Sequence, residues 1–161
     1  MPVNRREFLQ HTATAGTLLA LSDPLALRAA ESPNNKLVVG VMGVNGRGSS
    51  LASSFASLPG SSVAYVCDVD SRAVEKVTKL VEERGGTKPQ GVTDFRKILD
   101  DASVDALVIA APDHWHAPAA ILACAAKKHV YVEKPASHNP LEGEITVQAA
   151  RKNNRVVQLG T

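Results

Sequence analysis

The chain has 161 residues, enough for one domain with a real core and too few for two. Apolar residues make up 44%, so burial can offset the entropy of ordering, which excludes a disordered chain. The formal net charge is only +2, basic residues are scattered and aromatics are few, which argues against a nucleic-acid surface, and no apolar run reaches the roughly 20 residues of a membrane span.

Residues 1–30 read as a leader and not as part of the fold. Asn4-Arg5-Arg6-Glu7-Phe8-Leu9 sets two arginines ahead of Phe-Leu, a mild apolar stretch runs from Thr12 to Leu21, and an Ala-rich LALRAA follows. Charge, then apolar, then small is the order of a processed export signal, and the paired arginines make this one look like a twin-arginine signal. A frayed basic N-terminus is the plain alternative. The export reading implies a periplasmic or secreted protein that folds, and can load a cofactor, before it leaves the cytoplasm. Leu27-Arg28-Ala29 is only a fair cleavage site, and no Cys near the leader offers a lipid anchor. The leader carries three of the 18 basic and two of the 16 acidic residues, which leaves 15 against 14 for the rest.

From Lys36 onward strand and helix patterns alternate. The apolar run Leu37–Met42 predicts a strand that stops at GVNGRG, where a helical pattern begins at once. A strand, a tight turn and a helix N-terminus present free backbone N–H groups and a positive dipole end, a place for a pyrophosphate. Gly43 permits the turn and Gly48 permits close packing of helix on strand; Asn45, Gly46 and Arg47 lie between. Such turns also serve as plain connections, so this signal is weak alone. Leu51, Phe55 and Leu58 share one helix face, and Val74, Val77 and Val81 share another.

Further strands are predicted over Ser62–Cys67, Gln90–Thr93, Asp105–Ala110, Val130–Val132 and Arg155–Leu159, several of them continuous apolar runs as in parallel sheets covered on both faces. An Ala-rich helix is expected over Ala117–Lys128. Asn139-Pro140-Leu141-Glu142 opens another, with a cap, Pro at the first position and Glu at the third. Six strands with crossover helices predict a doubly wound parallel α/β sheet of order 3-2-1-4-5-6, with its ligand over the carboxyl ends of the strands where the order reverses.

The chemistry-bearing residues fall at those ends. Asp68 follows the second strand, 25 residues after Gly43, at the spacing of an acid that takes the hydroxyls of an adenosine ribose and repels a 2′-phosphate. That favours NAD over NADP, although Arg72 is near enough to blur the preference, and a cap or turn role for Asp68 is the plain alternative. After the fourth strand, APDHWHAP gathers Asp113, His114, Trp115 and His116. His-x-His can serve a metal, but no third ligand is evident. His114 reads as a solvated loop residue, while Trp115 can pack on a cofactor or cover the core. The fifth strand ends VYVEKP. Charges there are costly unless paired or useful. Glu133–Lys134 is either an ion pair closing the strand or a working pair, and a desolvated lysine gives up its proton more readily. A cis bond can precede Pro135. Cys67 and Cys124 read as small buried residues without metal spacing.

Together the stretches VGVMGVNGRG, VCDVD, APDHWHAPAAILACAAKKHVYVEKPASHN and VVQLGT resemble the Gfo/Idh/MocA family of NAD(P)-dependent oxidoreductases, from about Lys36 to Thr161. The third stretch is the most specific. The resemblance implies a Rossmann domain over residues 36–161 that binds NAD, with NADP possible. It implies cofactor contacts from Gly43, Asn45, Gly46, Arg47, Gly48 and Asp68, and contacts near the nicotinamide from Pro112, His116, Glu133 and Lys134. Lys134 inherits the assisting catalytic role of the family lysine. Asn45 stands where a glycine is more usual. Family members continue into a second domain that holds the substrate, supplies a further His and builds the oligomer, so this chain is expected to be the cofactor domain alone. Its partner would be a sugar-like small molecule. The readings are an exported sugar or polyol oxidoreductase, a relative that uses trapped NAD to cleave glycosidic bonds, or a nucleotide-binding module without catalysis. A methyltransferase is a weaker rival, because Glu-Lys-Pro has no evident use there.

Overall fold

The computed structural model describes residues 36–160, so the leader reading lies outside the described part. The elements run β1 (Leu37–Met42), α1 (Arg47–Ser57), β2 (Ser61–Cys67), α2 (Ser71–Gly85), β3 (Gln90–Val92), α3 (Arg96–Asp100), β4 (Ala106–Ile109), a 3₁₀ turn (Asp113–Trp115), α4 (His116–Ala125), β5 (His129–Val132), α5 (Pro140–Asn153) and β6 (Val157–Leu159). The strands form one sheet in the order β3-β2-β1-β4-β5-β6, every neighbouring pair parallel. That is the doubly wound arrangement expected from the alternation of strands and helices.

Alternate residues of each strand feed two cores. Val39 and Val41 of β1, with Ala106 and Val108 of β4, pack under α1 and α2 against Leu51, Ala52, Val77 and Val81. Met42, Leu107 and Ile109 face the other way, onto Ile98 of α3 and the alanines of α4. All four residues of β4 are buried, which is why that strand reads as an unbroken apolar run. Truncating Leu107 to Ala, at 0% exposure, removes burial worth about 2–5 kcal/mol.

Several boundaries differ from the expectation, each for a local reason. α1 ends at Ser57, and Leu58 is extended and half exposed, because Pro59 drives the residue before it out of the helical region. α4 starts one residue early, at His116, and stops at Ala125, where Lys127 turns left-handed with φ 64°. Lys128 is therefore not helical; it is buried, and its ammonium donates to the Asp101 carbonyl at 2.6 Å. β6 is shorter than expected, since the Arg155 amide donates back to the Ala150 carbonyl at 2.9 Å and the Val156 amide to His129 Nδ1 at 3.1 Å, not to the neighbouring strand's carbonyls. Helix α3 has no counterpart in the sequence reading, because five residues are too few to show a helical period. The opening of α5 is as expected: Asn139 accepts from the Glu142 amide at 3.0 Å and Pro140 takes the first helical position.

Candidate cofactor-binding site

The glycine turn sits where the strand order reverses, between β1 and β4. Gly43 has φ +83°, and a Cβ there would fall onto the backbone of Ala110–Ala111. Its N–H donates to the Cys67 carbonyl at 2.8 Å, which fixes the turn to β2. A Cβ on Gly48 would run into the Gly43 carbonyl, so α1 presses directly on the strand end. Gly46 caps α1 without a side-chain hydrogen bond, and the first turn holds no acidic residue. The amides and positive dipole end of α1 are thus left for a ligand, equivalent to about half a unit charge.

Asp68 braces this turn. Its Oδ2 accepts from the amides of Val44 at 2.8 Å and Asn45 at 3.1 Å, and Oδ1 accepts from Asp70 at 3.1 Å. The plain turn role and the ribose role are compatible, since a carboxylate offers about four acceptor positions. Asp70 caps α2 by accepting from the Arg72 amide, and the Arg72 guanidinium is tied back to it at 2.9–3.0 Å. A cavity of about 550 Å³ opens beside Asp68, lined also by Gly43, Phe95, Pro112 and Trp115. Trp115 packs edge-on against Phe95, ring centres 6.2 Å apart, so it walls this cavity as well as covering the core. Cys67 lies in the same wall, and burial pushes its thiol up to about 12, which makes it inert.

A second cavity of about 580 Å³ lies on the far side of Ala111, which lines both. It brings together Arg47, Asp113, His116, Glu133 and Lys134, five residues from three separate stretches of sequence. Glu133 is buried, and its partner is Arg47, whose Nε donates to Oε1 at 2.9 Å; the ion pair considered for Glu133 with Lys134 is not the direct contact. The Arg47 guanidinium holds the Glu133 carboxyl below the usual range, against the opposing pull of burial. Lys134 is exposed in the cavity mouth, and its ammonium makes no hydrogen bond or ion pair among the described residues. The Lys134–Pro135 bond is cis, as considered from the sequence.

His116 lines the second cavity and also ties two loops together. It is 2% exposed, with Nδ1 against the Pro135 carbonyl and Nε2 2.8 Å from the Ala111 carbonyl. The two ring nitrogens face carbonyls of two different loops, and the nitrogen that carries the proton donates, so the side chain lies between the turn after β4 and the segment after β5. His114 is solvated, as expected. Two features had no sequence signal. Arg47 and Glu133 are 86 residues apart, and nothing in either stretch points to the other. Asp113 accepts from His138 Nδ1 at 3.2 Å, which holds its carboxyl below the ordinary value and links the two loops at the cavity rim. Among the described residues no group of three or more His, Cys, Asp or Glu is placed to hold a metal.

A doubly wound sheet with a glycine turn at its order reversal and a divided crevice above is the Rossmann arrangement of a dinucleotide-binding domain. Residues 37–161 match the Gfo/Idh/MocA family, an oxidoreductase family with an NAD-binding Rossmann fold, and the chain belongs to it. A curated relative from Saccharopolyspora erythraea, a glycosyl hydrolase family 109 protein, is 31% identical over 96% of this chain and 38% of its own length. Scyllo-inositol dehydrogenase from Lactobacillus casei, solved with NAD(H) and scyllo-inositol bound, superposes with TM-score 0.70 at 25% identity, over 78% of this chain and 36% of that one. An NAD-binding oxidoreductase from Klebsiella pneumoniae gives TM-score 0.66 at 26% identity, over 78% and 34%. The chain thus spans little more than a third of the length of these relatives.

Proposed function

We propose that residues 36–161 bind NAD across the carboxyl ends of β1 and β4, and that they are the cofactor domain of an oxidoreductase acting on a sugar or polyol hydroxyl. One observation carries this reading: the Gly43 cradle, beside a helix end without a side-chain cap, shares Ala111 with a cavity that ends at a lysine with no partner among the described residues. Gly43 and Gly48 allow the close approach, and the amides of Gly46 and Arg47 receive the pyrophosphate, next to Asn45, whose own amide Asp68 holds. Asp68 takes ribose hydroxyls with its remaining acceptor positions. The Asp68 carboxylate repels a 2′-phosphate, which favours NAD. NAD, when bound, supplies the hydride acceptor. Lys134 takes the hydroxyl proton or polarises the forming carbonyl, with His116 in the wall of the same cavity and Pro112 in the wall of the neighbouring one. The substrate is held by a part of the protein beyond these residues, which also builds any oligomer. Residues 1–30 are a twin-arginine signal that directs the folded protein to the periplasm or beyond.

Fluorescence titration of the chain with NADH tests the cofactor reading. Saturable binding displaced by ADP and untouched by S-adenosylmethionine is expected; no signal up to millimolar NADH rejects it. A signal-to-reporter fusion that exports only with Arg5 and Arg6 intact tests the leader. The downstream DNA tests the substrate domain.

A second reading is favoured by the name of the Saccharopolyspora relative. A protein that oxidises, eliminates and restores would release nitrophenol from an aryl glycoside with no net NADH. A dehydrogenase would accumulate NADH with a polyol. Absorbance at the two wavelengths separates the two.

A further inference from the structure

Arg47 and Glu133 form an ion pair between two very different settings. Arg47 is the first residue of α1, at the helix end assigned above to the pyrophosphate, and its side chain is 56% exposed. Glu133 is 10% exposed and closes β5, where its amide donates to the Ile109 carbonyl at 2.9 Å. Its carboxylate is confined as well. A Cβ on Gly160 would lie 3.1 Å from Glu133 Oε1 and 2.6 Å from the Tyr131 hydroxyl, so the glycine leaves only enough room for the carboxylate it has. In this pair the arginine can change partner and the glutamate cannot leave.

The charges around the cavity make that exchange matter. Arg47 and Lys134 are its two permanent cations, and Glu133 and Asp113 its two acids. Asp113 is already engaged by His138, and Glu133 by Arg47. Lys134, adjacent to Glu133 in sequence, is left without a partner among the described residues. Phosphate attracts a guanidinium strongly, because planar N–H donors match its oxygens in pairs. A dinucleotide on the turn would bring two such phosphates next to Arg47.

We propose that Arg47 is a cofactor-responsive positioning residue: the dinucleotide phosphate draws its guanidinium from Glu133, and the freed carboxylate takes Lys134 as its ionic partner. Arrival of cofactor at one end of the crevice thereby orders the lysine at the other. This rests on the NAD-binding reading above.

Two measurements test it on the chain as it is. The first is NADH affinity of wild type, Arg47→Met, Glu133→Gln and the double variant, each checked for folding by circular dichroism. Arg47→Met should weaken NADH about tenfold, the scale of one charge-assisted hydrogen bond. Glu133→Gln should tighten it severalfold, because the competitor for Arg47 is gone, and should do nothing on the Arg47→Met background. A purely structural ion pair would weaken binding in both single variants, and that result overturns the proposal.

The second measurement needs no change at Glu133. Lysines carrying ¹³C-methyl labels are followed by NMR while ADP, which has no nicotinamide end, is added. ADP should shift the Lys134 resonance in wild type and leave it in place in Arg47→Met. An unmoved Lys134 resonance with ADP bound overturns the inference and leaves the NAD reading standing. Wild type that binds neither NADH nor ADP removes both.

Discussion

Asp101 and Glu133 are acids at opposite ends of the same sheet, and the protein treats them differently. Asp101 lies ahead of β4, at the amino ends of the strands. It accepts from the Ser103 amide and hydroxyl and from the Tyr65 hydroxyl at 2.7–2.8 Å. Close by, the Lys128 ammonium donates to the Asp101 carbonyl, and Asp105 receives the Val38 amide at 2.8 Å. Every one of those partners belongs to the domain, and the arrangement ties loops to strands. Glu133, at the carboxyl ends, has one partner on an exposed side chain, and the adjacent lysine has none among the described residues. The first end commits its polar groups to the fold; the second leaves the helix-end amides and, among the described residues, an ammonium without partners around a divided cavity, and holds its guanidinium by a single half-exposed ion pair. In a parallel sheet both ends start with the same unpaired backbone, so this asymmetry in side-chain satisfaction is what marks the functional end.

The largest expected effect is at the lysine. On the proposed function, Lys134→Met in a protein that also carries the substrate-holding part should lower kcat by about 100-fold or more, the usual worth of a positioned acid–base group, while NADH affinity stays within about twofold. Unchanged kcat would place the chemistry elsewhere. Next comes a pair of glycines with nearly the same backbone angle. Gly43 (φ +83°) meets the Ala110–Ala111 backbone, whereas a Cβ on Gly60 (φ +78°), in the turn before β2, would have nothing within 4 Å. Gly60→Ala should cost only the left-handed strain, about 1–2 kcal/mol. Gly43→Ala adds a backbone clash and should cost about 3 kcal/mol or more and abolish NADH binding. Urea melts of the two variants give the difference directly; equal losses would mean that β4 gives way at Ala111.

How much of this was legible beforehand follows from the range of each interaction. The strand order, the glycine turn, Asp68 and the Asn139 cap depend on period, spacing and turn chemistry within a few residues, and the sequence displays those. Helix α3 is missing from the reading because Arg96–Asp100 is shorter than two helical turns. The end of α4 shifts because a lysine, not a glycine, turns left-handed at 127. Arg47, Glu133 and His116 each line the second cavity. That Arg47 pairs with Glu133, and that His116 engages carbonyls of two loops with its two ring nitrogens, depends on the crossing of chain segments and has no local signature.

Smaller effects probe the acids at the two ends. Asp68→Asn keeps a turn acceptor but removes the charge, so it should weaken NAD by about tenfold and bring NADP close to it, as seen by titration with each. A variant that still prefers NAD strongly would assign discrimination to another residue. At the amino end, the hydroxyls and amide around Asp101, those of Ser103 first, lower its carboxyl from 3.8 to about 2. A carboxyl depressed in the folded state stabilises above its unfolded value and loses that contribution as pH falls through the folded one. The urea midpoint should therefore hold down to about pH 4 as far as Asp101 is concerned, then fall toward pH 2. Asp101→Asn should start lower and fall less steeply over that window, because one fewer proton is taken up on unfolding. Parallel curves would mean that Asp101 does not differ between the folded and unfolded chains, and the contrast between the two ends of the sheet would then rest on Lys128 and Asp105 alone.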